Sequence, residues 1–138
     1  MFRVGSIFIP VTNLEKAINW YETNLNIKLI DRWEGGAGFY LSTGPTQLAL
    51  VQVKNQQATE FETILGQSNG YFNFLVEDIE AAYIHLTNAG VKATDIKDFG
   101  GMKFFDFFDL DGNPFCVVNE VEGSPYHTEN IRRMQENR

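Results

Sequence analysis

Cysteine, histidine and basic residues are scarce in this sequence, and each shortage excludes a class of protein. A single cysteine cannot form an internal disulfide, which favours a reducing, cytoplasmic location. The two histidines, His85 and His127, lie far apart and do not suggest a metal centre. Lys and Arg number 11 against 18 Asp and Glu, giving a net charge of -7. No basic patch is available for nucleic acid, so a nucleic-acid partner is excluded.

Long hydrophobic runs are missing as well. No apolar stretch approaches the length of a membrane helix, so no membrane partner is expected. The first residues, "MFRVGSIFIPVTN", lack the apolar core and cleavage site of a secretory signal. The composition, 43% hydrophobic and 21% charged, is typical of a globular protein. We expect one domain over residues 1–122 and a polar tail over 123–138 that is either a short helix or a frayed end.

The sequence contains an internal repeat at an offset of 65 residues, as between Gly5 and Gly70. The other matches at this offset are Val11 with Val76, Glu15 with Glu80, Ala17 with Ala82, Gly35-Gly36 with Gly100-Gly101, and Phe39 with Phe104. Each match is weak alone, but the shared offset indicates a duplicated unit. We place the two units at about residues 4–54 and 69–121.

Each unit is predicted to contain one helix and four strands. In the first strand of the first unit, alternate residues are apolar, as expected of a strand with one buried face. Thr12 and Glu15 have the spacing of a capping box at the start of the first helix, and Asp78 is suited to cap the second. The predicted strands are 4–11, 27–33, 37–42 and 47–53, then 70–76, 92–97, 103–108 and 114–120.

This order of elements defines an α+β fold of two βαβββ units. Because neither four-stranded sheet closes on itself, we expect the two to form an eight-stranded open cup with the helices outside. The cup would enclose a cavity lined by the faces of the sheets that the helices leave uncovered.

Two motifs resemble those of a known family, the vicinal-oxygen-chelate superfamily of glyoxalases, extradiol dioxygenases and bleomycin-resistance proteins. "VTNLEKAINWYETNL" is similar to the family's helix motif, with Asn13 in place of Asp and Trp20 in place of Phe. "DLDGN" is similar to the family's D-P-D-G-N turn, with Leu110 in place of Pro. The resemblance covers about residues 4–121 and implies the fold better than the reaction, since this fold hosts many chemistries.

The resemblance also implies where a metal would bind. Family members that use a metal hold it with two ligands on the first strands and two on the last strands of the units. The corresponding residues here are Ser6, Ala49, Tyr71 and Cys116. Divalent cations prefer imidazole and carboxylate ligands, and none of the four supplies either. We therefore expect no metal and no other cofactor.

Strand alternation predicts which residues line the cavity. The lining would be mostly apolar and aromatic with a few polar groups, as in small-molecule sites. The predicted ligand-binding residues are Ser6, Phe8, Phe39, Ala49, Tyr71, Asn73, Phe104, Asp106 and Cys116.

Two of these residues, and Trp33 in addition, have two interpretations each. Asp106, flanked by phenylalanines in "FFDFFD", either recognises a cationic ligand or points to water and pairs with Lys103. Cys116 is either a nucleophile or a small buried apolar residue, and its apolar neighbours favour the second interpretation. Trp33 either borders the cavity mouth or packs within a hairpin.

The missing ligands, the aromatic lining, Asp106 and the acidic charge together favour a metal-independent binding protein. It would resemble bleomycin-resistance proteins, sequester a cationic or aromatic drug or metabolite, and form a homodimer as many relatives do. One alternative is a glyoxalase-like lyase or isomerase with an altered or relocated site, using Tyr71 or Asp106 as acid or base. Another is a cup filled by its own side chains that serves assembly.

Overall fold

The two halves of the chain repeat one order of elements in the computed structural model, which describes residues 1–137. The first half contains β1 (Ser6–Val11), α1 (Leu14–Leu25), β2 (Lys28–Trp33), β3 (Gly36–Tyr40) and β4 (Gln47–Gln52). The second contains β7 (Asn73–Val76), α2 (Ile79–Asn88), β8 (Lys97–Phe99), β9 (Met102–Phe108) and β10 (Pro114–Asn119). Between them lie the short strands β5 (Glu60–Glu62) and β6 (Ser68–Gly70), and α3 (Thr128–Glu136) follows β10.

The strand order is the same in both halves and confirms the predicted α+β fold of two βαβββ units. One four-stranded sheet has the order β1-β4-β3-β2 and the other β7-β10-β9-β8. In each, the first strand of the unit lies at one edge and runs parallel to the last strand beside it, while the remaining pairs are antiparallel. A third sheet of two strands joins β5 and β6.

The chain divides into two compact units whose boundaries are not simply the two halves. The first unit comprises Met1–Asn69 together with Asp109–Asn113, and the second comprises Gly70–Phe108 and the described residues from Pro114 onward. The tail predicted over 123–138 contains α3, and its last residue, 138, lies outside the described residues. Among residues 1–137 no helix is long and apolar enough to cross a membrane.

In each unit, one face of the sheet is buried and forms the core. In the first unit Ile9, Leu50 and Phe39 are almost fully buried, on the sheet face that α1 covers. In the second unit Phe105 and Phe107 of β9 are equally buried. Successive strand residues alternate between faces, so their neighbours along each strand lie on the opposite face, here called the open face.

The start of α1 differs from the prediction. The N-cap is Asn13, whose side chain accepts a hydrogen bond from the Lys16 backbone N–H, and not Thr12. Thr12 instead donates its backbone N–H and its hydroxyl to the carboxylate of Asp111. The capping-box prediction was therefore wrong, because a carboxylate distant in sequence binds the Thr12 hydroxyl. Asp78 caps α2 as predicted, accepting from the Ala81 N–H.

The "DLDGN" turn is held by its own polar side chains within the first unit. Asp109 is buried and accepts hydrogen bonds from the Tyr21 hydroxyl and from the Asn113 backbone and side chain. Asn113, also buried, donates to the backbone carbonyl of Pro10. Gly112 has a φ of +79°, which favours glycine. The side chains of the turn are thus engaged in hydrogen bonds that join it to Tyr21 of α1, Pro10 of β1 and Thr12.

Candidate functional site

Four of the five predicted site residues of the second unit lie together on its open face. Asn73 of β7 is the direct partner of Cys116 of β10, and Cys116 is the direct partner of Asp106 of β9. Directly paired residues point to the same face of a sheet, so the three side chains form one row across three strands. Phe104 lies on the same face, two residues from Asp106, and Tyr71 is exposed just before β7.

Asp106 is fixed in place through its backbone. Its N–H donates to the Thr94 hydroxyl at 2.9 Å, and its carbonyl accepts from the Thr94 N–H at 2.8 Å. Lys103, the partner considered for Asp106, lies on the opposite face and pairs with Glu80 at 2.6 Å. Within residues 1–137 no lysine, arginine or histidine forms an ion pair with Asp106. The half-buried carboxylate therefore shares this face with Asn73 and Cys116 and forms no ion pair within the described residues.

The Asp106 carboxylate also affects its neighbour Cys116. Burial, and secondarily the charge of Asp106 and a hydrogen bond to it, raises the pKa of the Cys116 thiol to about 11. The thiol is consequently protonated at neutral pH, which makes it a poor nucleophile and a poor metal ligand. This favours the interpretation of Cys116 as a small apolar residue over that of a nucleophile, with the side chain partly rather than fully buried.

Aromatic rings extend the open face of the second unit on either side of Asp106. Phe99 stacks on Phe104 with ring centroids 5.6 Å apart and an interplanar angle of 16°. On the other side, the ammonium of Lys92 lies over the ring of Phe108, 5.4 Å from its centroid. Sequence reasoning missed Phe99, Lys92 and Thr94, because the segment before β9 pairs with it irregularly, through a single bridge at Ala93 and a shifted register beyond.

Three of the four predicted residues of the first unit lie on its open face. Phe8 of β1 is the partner of Ala49 of β4, and Ala49 is the partner of Gly38 of β3. Phe8 is 67% exposed and Ala49 is buried. Ser6 is on the same face, and its hydroxyl donates to the Gln47 side chain at 3.1 Å.

The fourth predicted residue, Phe39, is not on the open face, and this prediction was wrong. Phe39 is the partner of Leu48 and is fully buried on the face that α1 covers. The predicted repeat matched Phe39 to Phe104 at an offset of 65. In the structure, Phe39 pairs with Leu48 of β4, and the residue that pairs with the corresponding position of β10, Phe115, is Phe107. Phe107, at an offset of 68, is therefore the equivalent of Phe39. An odd change of register turns a side chain to the other face of the sheet, and Phe107 is indeed buried too.

The open face of the first unit also carries Trp33 of β2. Trp33 and Gly36 are direct partners, and a Cβ placed on Gly36 would overlap the indole ring. The indole therefore lies flat against β3, where Gly36 has no side chain to displace it, while the Trp33 side chain remains 45% exposed. This is hairpin packing with one ring face outward. Gly36 and Gly38 both belong to β3.

The four positions that the resemblance assigns to a metal do not offer the ligands that a divalent cation prefers. In the first unit, Ala49 offers no donor atom and the Ser6 hydroxyl is engaged with Gln47. In the second unit, the Cys116 thiol remains protonated at neutral pH, and Tyr71 offers a phenol rather than an imidazole or carboxylate. Among residues 1–137, no three His, Cys, Asp or Glu side chains are grouped as a metal site requires.

Comparison with known proteins agrees with the geometry. The family model described as "Glyoxalase/Bleomycin resistance protein/Dioxygenase superfamily" matches residues 3–117. No curated protein gave a match.

Several solved structures have similar folds. An integron cassette protein from the mobile metagenome of the Halifax Harbour sewage outfall has a TM-score of 0.70 at 19% identity, covering 87% of this chain and 100% of that one. A superfamily member from Sphaerobacter thermophilus has a TM-score of 0.69 at 25% identity, covering 87% and 98%. A glyoxalase family protein from Enterococcus faecalis has a TM-score of 0.64 at 22% identity, covering 84% and 96%.

Proposed function

The chain belongs to the glyoxalase/bleomycin resistance protein/dioxygenase superfamily, and from that premise we propose that it is a metal-independent small-molecule-binding protein. Its ligand is a cationic or aromatic compound, which it sequesters without chemical change. The observation that carries the proposal is the Asp106 carboxylate, half-buried on the open face of the second unit and without a basic partner within residues 1–137.

A carboxylate in this setting favours a cationic ligand. Partial burial removes water from the charged group, and this cost is recovered when a positive group binds against it. Hydrogen bonds to Thr94 fix the backbone of Asp106 and therefore the sheet face on which its side chain lies, which lowers the cost of ordering the site on binding. The Asn73 amide in the same row adds hydrogen-bonding groups that orient a polar ligand.

The aromatic rings beside Asp106 favour the same class of ligand. Stacked Phe99 and Phe104 present a flat apolar surface to an aromatic ring. The Lys92 ammonium over Phe108 demonstrates that ring faces on this sheet accommodate a cation. A ligand with an aromatic group and an amine would contact both kinds of surface.

Binding is favoured over catalysis by the state of the reactive side chain in the row. A thiol with a pKa of about 11 is neither a useful nucleophile nor a good proton acceptor at neutral pH. Metal-assisted enolisation has no support either, because the residues at the metal positions do not fit a divalent cation.

A thermal-shift experiment with benzyltrimethylammonium, followed by a panel of cationic aromatic amines, tests the proposal. A ligand at a hundred times its Kd stabilises a folded protein by about 2.7 kcal/mol, which raises the unfolding temperature by several degrees in a domain of this size. We expect such a shift for the wild type and a clearly smaller one for Asp106→Asn.

The matched control is Glu77→Gln, which removes the same charge from an exposed position just after β7. It should respond to the ligands as the wild type does. Equal shifts for Asp106→Asn and the wild type would remove Asp106 from the site. Equal losses in both variants would mean that only the net charge matters.

A further inference from the structure

We propose that the open face of the first unit carries a cation-binding site of its own residues, formed by the indole of Trp33 and the carboxylate of Asp31. Its ligand is the ammonium group of a small organic molecule. The proposal uses residues of the first unit only and does not depend on Asp106.

The indole of Trp33 is held in a fixed orientation by the strand beneath it. Because an added Cβ on Gly36 would overlap the ring, the inner ring face is in close contact with the Gly36 backbone. Gly36 itself is buried although it has no side chain, since the indole covers it. The outer ring face accounts for the 45% exposure of Trp33. A rigid, half-exposed indole is the aromatic surface that binds cations most strongly.

Asp31 lies beside the indole on the same face. Asp31 is the direct partner of Gly38, and Trp33 is the partner of Gly36. The position that a Cβ on Gly38 would occupy is 3.5 Å from Trp33 Cζ3 and 3.6 Å from Asp31 Oδ1. The carboxylate oxygen and the edge of the indole thus border one small space above Gly38, which the absent side chain leaves open.

A shift in strand pairing produces this arrangement. The register of β2 against β3 shifts between Leu29 and Asp31, which places Asp31 and Trp33 together on the open face. Arg32, between them, points to the opposite face, where it forms an ion pair with Glu15 of α1. The nearest basic residue in sequence is therefore directed away from Asp31.

The charge of Asp31 remains available for a ligand. Within residues 1–137 no lysine, arginine or histidine forms an ion pair with it, and the side chain is exposed. A positive group bound here is attracted both by the charge of the carboxylate and by the quadrupole of the indole ring. A neutral molecule of the same shape gains neither attraction, so the site should select for charge.

Tryptophan fluorescence offers a direct test, because the chain has only two tryptophans. In a Trp20→Phe protein all tryptophan emission comes from Trp33. We expect choline, titrated at constant ionic strength, to change this emission in a saturable way. Its neutral counterpart of the same shape, 3,3-dimethylbutan-1-ol, should leave the emission unchanged. As a second route that keeps Trp20, the choline response of the wild type should disappear in Trp33→Phe.

Substitutions separate the contribution of each group. In the Trp20→Phe background, Asp31→Asn should weaken choline binding up to about fivefold, the range for an exposed charge pair. Glu22→Gln, an equal charge change on the exposed surface of α1, should not weaken it. Gly36→Ala should displace the indole and abolish the response, whereas Gly5→Ala, whose added Cβ meets no atom within 4 Å, should preserve it.

The two proposals fail independently in this experiment. Asp106→Asn should leave the choline response of Trp33 intact. An equal response to choline and to its neutral counterpart, or an unchanged affinity in Asp31→Asn, would overturn the Trp33–Asp31 site. Neither result would affect the site at Asp106.

Discussion

At the scale of single residues, Tyr21 and Asp109 of the first unit form a buried hydrogen-bonded pair, and the pKa of each is raised. Tyr21 is 1% exposed, and its hydroxyl donates to the Asp109 carboxylate at 2.5 Å. Burial, followed by the charge of Asp109, raises the pKa of Tyr21 far above its ordinary value. Burial also raises the pKa of Asp109, although its hydrogen bonds with Tyr21 and Asn113 oppose the increase. In the folded protein, Tyr21 is a neutral phenol whose hydroxyl donates a hydrogen bond to Asp109.

Tyr21→Phe should destabilise the protein at neutral pH by about 1.5–3 kcal/mol, the range for a hydrogen bond to a charged group. The dependence on pH is equally specific. Because the folded-state pKa is raised, the Tyr21 contribution is fully present below about pH 10, the ordinary pKa of tyrosine, and is lost as the pH rises above it.

Urea denaturation across this pH range measures both effects. Above pH 10 the stability difference between wild type and Tyr21→Phe should shrink by about 1.4 kcal/mol for each pH unit. Tyr40→Phe, at a position 48% exposed, is the control and should show no such trend. A stability difference that stays constant to pH 11 would contradict the prediction.

At the scale of elements, the Asp109–Asn113 turn connects β9 to β10 and at the same time completes the first unit. Its side chains bond the start of α1 through Thr12 and the end of β1 through Pro10. A turn with two carboxylates therefore contributes to stability rather than to metal binding.

Asn113→Ala should lower the free energy of unfolding by about 1–3 kcal/mol. The substitution removes buried hydrogen bonds to the Pro10 carbonyl at 3.0 Å and to Asp109 at 2.8 Å, although Asp109 keeps the hydrogen bond from Tyr21. Asn55→Ala, at an exposed position, is the matched control and should lie within about 0.5 kcal/mol of the wild type. A midpoint of urea denaturation equal in the two variants would contradict the structural role of the turn.

The positions of the helices and strands were more predictable from sequence than the sheet face on which each side chain lies. Period-2 alternation in Ile7 and Ile9, together with the cap at Asp78, identifies a strand and a helix start by local chemistry alone. The face of Phe39 depends instead on how β3 pairs with β4, which the repeat offset does not determine. The register shift in β2, which puts Asp31 and Trp33 on the open face rather than on the face of Leu29, has no local signal either. Gly36 and Gly38, close to Trp33 in sequence, are a signal that an indole ring packs on the next strand.

At the scale of the whole molecule, the chain combines a net charge of -7 with two sheets whose open faces carry aromatic rings and carboxylates. Such a charge raises the local concentration of cations around the protein and speeds their association. The predicted homodimer and cytoplasmic location stay predictions.

Dialysed protein should contain far less than one equivalent of zinc, nickel, manganese or iron, and EDTA should not change its unfolding temperature. The reason is that Ser6 and Ala49 in one unit and Tyr71 and Cys116 in the other offer neither imidazole nor carboxylate. Elemental analysis and a thermal melt measure the two outcomes. A metal-dependent glyoxalase taken through the same dialysis controls for metal lost in handling, and a stoichiometric metal that survives in this protein would contradict the prediction.

The membership of Asp109–Asn113 in the first unit also determines when that unit can be finished during synthesis. When residues 1–69 leave the ribosome, Tyr21, Thr12 and Pro10 still lack the partners that the turn provides. At about 5–20 residues per second, residue 113 follows several seconds later. The N-terminal half of this duplicated chain therefore waits in an incomplete form, and its final packing is reached only when most of the C-terminal half has been made.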